Sequence, residues 1–200
     1  MRVSESVQVD NYTFPSVLRA CANLLANEKG REVHGMVIRI RYDWDKFVRS
    51  SLLNFYTVFG EINDAQRVFD ESEIKDVVLR NTIIMGYARA GRYLEAFEIF
   101  EEMIGLRGIR PNEGAILGLI LACLVSKEIK LGKEIHGHVV KEMGFTIYVK
   151  LGAALIDFYA KYGQLDDARK LFEGMPERNI VVWNSMISGY LTKRISTPGN

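Results

Sequence analysis

Two stretches of this chain, 103 positions apart, have the same form. Residues 149–179 read VKLGAALIDFYAKYGQLDDARKLFEGMPERN, and residues 46–76 read KFVRSSLLNFYTVFGEINDAQRVFDESEIKD. In the later copy Leu151, Ala154, Leu155, Phe158, Tyr159 and Tyr162 fall at i, i+3, i+4, i+7, i+8 and i+11. That spacing makes one apolar stripe on an α-helix. Gly163 follows, where a left-handed residue would end the helix. A second stripe begins at once with Leu165, Ala168, Leu171, Phe172 and Met175. Asp166 and Asp167 sit in its first turn and complement the helix dipole; Pro176 stops it. So short a link forces the two helices antiparallel. A lone hairpin cannot bury both stripes, so the unit needs neighbours of its own kind.

The neighbours are present. The same shift carries Gly163, Ala168 and Phe172 onto Gly60, Ala65 and Phe69, and Asn184, Ile187, Gly189 and Tyr190 onto Asn81, Ile84, Gly86 and Tyr87. A shift of 102 carries Cys123, Gly132 and His136 onto Cys21, Gly30 and His34. Three kinds of unit are therefore used in rotation: 11–45, 46–76, 77–112, 113–148, 149–179 and an unfinished one over 180–200. Residues 1–10 read as the end of a preceding unit. The stripes predict helices at 12–23 and 29–41, 47–59 and 62–72, 78–90 and 93–104, 113–125 and 131–142, and a first helix alone at 180–193. The link at 24–28 reads one turn looser than the others, Gly144 ends the fourth unit, and 195–200 should pack loosely. Gly60, Gly91 and Gly163 should each separate the two helices of a unit. No stretch alternates with period two long enough for a sheet, so the fold class is all-α.

Units of 31 to 36 residues, each a helical hairpin, resemble the pentatricopeptide repeats of plants. The rotation of long, short and standard types is similar to the mixed-length subclass of that family. ALIDFYAKYGQLDDARKLFEGMPERN matches the short type; NTIIMGYARAGRYLEAFEIFEEM and WNSMISGY match the standard type. SVLRACAN with GREVHGMVI, and GKEIHGHVVKE, match the long type. The resemblance implies a right-handed α-α superhelix. Tetratricopeptide arrays compete, but their 34-residue period does not produce this rotation.

Composition narrows the functions. Hydrophobic residues make up 48% of the chain, enough for a continuous core, and the net charge is +1. Nucleic-acid binders are usually more basic. Two cysteines make no disulfide framework and suit a reducing compartment. The longest apolar run, 115–125, is too short to span a bilayer. The opening MRVSESVQVD lacks both an Arg-rich presequence and a secretory core, and ISTPGN carries no second-helix stripe. The chain reads as a segment cut within repeats at both ends.

Chemistry is sparse. The repetition of Cys21 and His34 as Cys123 and His136 marks structural positions, expected inside the hairpin; one Cys and one His fall two ligands short of a zinc site. His136 and His138 point to different helix faces. No nucleophile elbow, phosphate loop or metalloprotease helix is present. The His/Glu and Cys/Cys zinc motifs of the deaminase-like domain that ends some members of the subclass do not occur either. No cofactor and no enzyme activity are expected.

The first helix of each unit should line the concave face. In 149–179 its apolar stripe leaves Ala153, Asp157 and Ala160 or Lys161 on the other side, expected to face a ligand. The resemblance implies that the ligand is single-stranded RNA, one base per repeat, read by the fifth and last residues of each unit. Those positions hold Ser50 with Asp76, Asn81 with Asn112, Ala153 with Asn179, and Asn184 without a partner. By the same resemblance Ser50 with Asp76 leans to guanine and Asn81 with Asn112 to a pyrimidine. Val78 and Val181 hold the base-flanking second position, where Gly114 and Lys150 are poor matches. Arg89 and Lys161 hold a basic position facing phosphate; Val58 replaces it in the second unit. Pro15 (with Asp45) and Leu117 (with Tyr148) offer no side-chain donor and would space the strand. The resemblance further implies work on transcripts of mitochondria or chloroplasts, by editing, processing, splicing or stabilisation, with protein factors as further partners. The alternative is a protein-interaction scaffold. No membrane association is expected, and the unfinished last unit should leave an apolar face open to self-association.

Overall fold

The computed structural model describes residues 12–106, 110–143 and 149–196. Among them are eleven helices and no strand. In order they are α1 (Thr13–Asn23), α2 (Asn27–Arg39), α3 (Lys46–Val58), α4 (Ile62–Asp70), α5 (Val77–Arg89), α6 (Tyr93–Gly105), α7 (Glu113–Ser126), α8 (Ile129–Met143), α9 (Val149–Lys161), α10 (Leu165–Gly174) and α11 (Ile180–Ser196). Each odd-numbered helix packs on the even-numbered helix that follows it and on the next odd-numbered one. The odd helices thus form one continuous layer and the even helices a second, an α-α solenoid whose repeats touch only their neighbours.

The hairpins close by one device. Gly60, Gly91 and Gly163 take φ of 72°, 73° and 72°, the left-handed region open to a residue without Cβ. Each lies between the two helices of a hairpin, as expected. The N–H after each glycine reaches back to the last turn: Glu61 to the Tyr56 carbonyl, Arg92 to Tyr87 and Gln164 to Tyr159, each at 2.9 Å. This six-to-one bond satisfies a carbonyl the helix would otherwise strand. The link in the first hairpin is not looser, contrary to expectation. Leu25 (φ 53°) takes the left-handed position and Ala26 N–H donates to the Cys21 carbonyl at 2.9 Å. The hydrogen bond outweighs the cost of φ > 0 for a side chain. Lys127 (φ 63°) does the same before α8, which begins at Ile129 rather than 131.

The core runs along the seam between layers. Leu18, Leu52, Leu53, Phe55, Ile83, Ile84, Leu119, Ile120, Leu155 and Phe158 are all at most 2% exposed. Two glycines make room for two of its rings. A Cβ on Gly30 would collide with the Phe55 ring, and one on Gly132 with the Phe158 ring, so α2 and α8 each admit a phenyl group from the next hairpin. The recurring histidines bridge hairpins too, rather than lying inside one. His34 Nδ1 is 2.6 Å from Tyr56 Oη, and His136 Nδ1 is 2.7 Å from Tyr159 Oη. The next hairpin's tyrosine, itself a member of the apolar stripe, brings its hydroxyl within hydrogen-bond reach of a half-buried imidazole. Burial lowers the pKa of both histidines and pushes the Cys123 thiol up to about 12, which leaves it an un-ionised core side chain. Among the described residues, no three His, Cys, Asp or Glu gather as metal ligands. No helix there is long and apolar enough to cross a membrane. Helix α11 runs three residues past the expected end at 193, while 144–148 and 197–200, with Gly144 and the loose tail, lie outside the described residues.

Candidate nucleic-acid interface

Four of the odd-numbered helices are preceded by an Asp or Asn. Asp45, Asp76, Asn112 and Asn179 stand immediately before α3, α5, α7 and α11, and the first three have extended backbones. Each caps its helix. Phe47 and Val48 N–H donate to Asp45 Oδ1 (2.8 and 3.0 Å), Leu79 N–H to Asp76 Oδ1 (3.0 Å), and Ala115 N–H to Asn112 Oδ1 (2.8 Å). Val181 and Val182 N–H donate to Asn179 Oδ1 (3.0 and 3.2 Å). Asx side chains are favoured here because they satisfy amides left over by the first helical turn.

At the junction of α3, α5 and α7 one of these caps, Asn112, opens onto a groove of about 340 Å³. Helix α5 supplies Val77, Val78, Asn81, Thr82, Met85 and Arg89; α3 supplies Asn54 and Thr57; Asn112 and Gly114 close the end. Val78, Asn81, Arg89 and Asn112 are therefore brought together. Asn81 is only 6% exposed and accepts from Asn112 N–H through Oδ1 at 3.2 Å. Val78 is 56% exposed, and Arg89, also exposed, makes no ion pair among the described residues. Gly118 lets Met85 lie flat against α7, since a Cβ there would stand 2.5 Å from Met85 Sδ.

Elsewhere the positions are less assembled. Ser50 and Asp76 are half-buried, while Asn184 and Val181 are exposed on α11. Ala153 and Ala160 are buried, at 5% and 6%, so the face of α9 expected to meet a ligand is largely covered. The reason is that α9 is packed by α7, α10 and α11 together. Asp157 and Lys161 remain at its edge and pair with each other at 2.9 Å. Asn54, Thr82 and Met85 were not anticipated in the groove. Their signal was a spacing of four: Ser50 with Asn54, Val78 with Thr82, and Asn81 with Met85 and Arg89 fall on single columns of helix surface.

Comparison with known proteins decides the family. Profiles described as "PPR repeat family" and "PPR repeat" match residues 75–123, and 154–180 with 181–193. A chloroplastic pentatricopeptide repeat-containing protein of Arabidopsis thaliana is 40% identical over 185 residues, 92% of this chain and 30% of its own length. This chain belongs to the pentatricopeptide-repeat family. A mitochondrial pentatricopeptide protein of the same plant is 32% identical over 180 residues, 90% of the chain and 26% of the relative. The chain thus spans about a third or less of such relatives. Among solved structures, maize pentatricopeptide repeat protein PPR10 in complex with an 18-nt psaJ RNA element superposes with a TM-score of 0.72 at 16% identity, over 92% of this chain and 28% of that one. The nuclear proteinaceous RNase P 2 of Arabidopsis thaliana superposes with a TM-score of 0.72 at 14% identity, over 90% and 42%. At these identities the likeness is one of fold.

Proposed function

We propose that this pentatricopeptide array binds single-stranded RNA along its odd-helix layer, one base per hairpin, and takes part in the RNA metabolism of a mitochondrion or chloroplast. The observation that carries the reading is the groove that joins Val78, Asn81, Arg89 and Asn112. It presents an apolar flank for a base, amides for its edge and a cation for phosphate, the three contacts that single-strand recognition needs. The repeat frames 11–45, 46–76, 77–112, 113–148 and 149–179, in long, short and standard rotation, belong to the same reading, as does the mixed-length subclass. Recognition rather than catalysis is then the activity of this segment, with editing or processing factors as its partners. The same reading makes the exposed face of α11 a surface for self-association.

Affinity should be modest. Two complete polar pairs, Ser50 with Asp76 and Asn81 with Asn112, give roughly 2–6 kcal/mol of discrimination at about 1–3 kcal/mol per good base contact. Few cations contribute, so binding should fall with salt. The test is a titration against short RNAs that differ at one base. The double variant Asn81→Ser, Asn112→Asp should move the third unit from pyrimidine toward guanine, because its acceptor pattern changes. An unchanged preference removes these residues as readers. Failure of a longer chain carrying the flanking repeats to bind any RNA would leave the protein-interaction scaffold, which the net charge of +1 favours.

A further inference from the structure

We propose that the hollow between α8, α9 and α10 binds a small organic carboxylate, its head at Lys133, His136 and Lys170 and its apolar body against Val140, Leu171 and Met175. The cavity measures about 400 Å³, the size of a small-molecule site. None of the groove residues named above lines it. Its two ends differ in chemistry. Along α8, Lys133 and His136 come before Val140; along α10, Asp167 and Lys170 come before Leu171 and Met175. A polar end thus leads into an apolar one.

The polar end is rich in donors. Its one carboxylate, Asp167, is shared by Lys133 Nζ at 3.9 Å and Lys170 Nζ at 3.7 Å, which leaves a net positive charge. His136 Nε2 is buried and has no hydrogen-bond partner among the described residues, while Nδ1 lies 2.7 Å from Tyr159 Oη. Burial pushes the Tyr159 phenol up to about 12 and lowers the pKa of His136, so both are neutral near pH 7. The phenol is the stronger acid of the two and donates to Nδ1, which assigns the ring proton to Nε2. A buried N–H without an acceptor, beside two ammonium groups, calls for a carboxylate.

The earlier copy of the same site is closed. Shifts of 102 and 103 carry Lys133, His136, Tyr159 and Asp167 onto Arg31, His34, Tyr56 and Asp64, and His34 Nδ1 meets Tyr56 Oη in the same way at 2.6 Å. The space beside His34 is only about 10 Å³, and Arg49 and Glu71 help to line it. Their counterparts are Gly152 and Gly174. Arg31 also straps α2 to α4 through Glu61 at 2.6 Å and Asp64 at 3.1 Å. In the later copy Lys133 replaces Arg31 and the neutral Gln164 replaces Glu61. Two lost side chains and one loosened strap account for the opening.

The closed copy serves as a control inside the molecule. Phenylbutanoate is titrated into the chain, with phenylbutylamine as the charge-reversed probe, and the imidazole NMR signals of His34 and His136 are followed. The carboxylate should shift the His136 signals to saturation and leave those of His34 in place; the amine should move neither. Gly174→Glu restores the side chain of the earlier copy at a position whose Cβ would meet nothing within 4 Å, so the fold should hold, which thermal unfolding checks. It should weaken phenylbutanoate binding by roughly tenfold or more, and Lys170→Glu, a change on an exposed side chain, by roughly tenfold. No movement of the His136 signals, equal movement of those of His34, equal binding of the amine, or unchanged affinity in both variants overturns the proposal.

Discussion

At the scale of the residue, the two half-buried imidazoles make acid stability predictable. Burial lowers the pKa of His34 and His136, so the unfolded chain, with histidine near its ordinary value of about 6.5, takes up protons first as pH falls. Their contribution is complete above about pH 6.5 and is lost as pH drops through that value toward the lower folded one. Urea unfolding between pH 8 and 5 should show this loss, and the double variant His34→Gln, His136→Gln should flatten it; an equal slope in both proteins would refute the assignment. Two glycines of α8 offer a paired test. Gly132→Ala drives a methyl into the Phe158 ring and should destabilise by about 1–3 kcal/mol. Gly137 meets nothing within 4 Å, so Gly137→Ala should stabilise by up to about 1 kcal/mol through helix propensity. Thermal unfolding of the two variants should therefore move in opposite directions.

At the scale of the element, the left-handed link is a reusable part. Gly163→Ala at φ 72° should cost about 1–2 kcal/mol. Leu25, at φ 53° and 72% exposed, invites the reverse change, and Leu25→Gly should stabilise by up to about 1 kcal/mol. Denaturant midpoints of both variants check the pair. The helices were legible in the sequence because each stripe has the 3.6-residue period and three hairpins carry a glycine stop at Gly60, Gly91 and Gly163. The tightness of the first link was not, since nothing local marks Leu25 as left-handed; the hydrogen bond from Ala26 to Cys21 decides it. The histidines were legible as structural but not as inter-hairpin bridges, because recurrence shows that two environments match without naming the partner. The covered face of α9 had the same cause: a stripe on one helix shows what its own hairpin buries, not what the next hairpin adds. For the candidate site, Val78, Asn81, Arg89 and Asn112 were legible by position, and the caps were written as Asp or Asn before α3, α5, α7 and α11.

At the scale of the whole molecule, the layers differ in what binds successive repeats. No described helix follows α11, where Ile187 and Tyr190 are 51% and 47% exposed, while Ile84 and Tyr87, at the matching positions of α5, are buried. Light scattering at rising concentration should detect association, and Ile187→Glu with Tyr190→Glu should abolish it; a monomer at every concentration would remove the proposal. The odd helices meet through apolar packing. The even helices are strapped by polar groups: Arg31 to Glu61 and Asp64 (2.6 and 3.1 Å), Arg92 to Asn63 and Gln66 (3.1 and 3.3 Å), Tyr93 to Glu128 (3.4 Å) and Lys133 to Asp167 (3.9 Å). Exposed ion pairs are weak and screened by salt; apolar contacts are not. Mechanically, the array is a spring with a stiffer odd-helix leaf and a more compliant even-helix one. Its repeat spacing is set by the odd-helix leaf, while its pitch can be wound or relaxed at little cost by whatever loads the even-helix leaf.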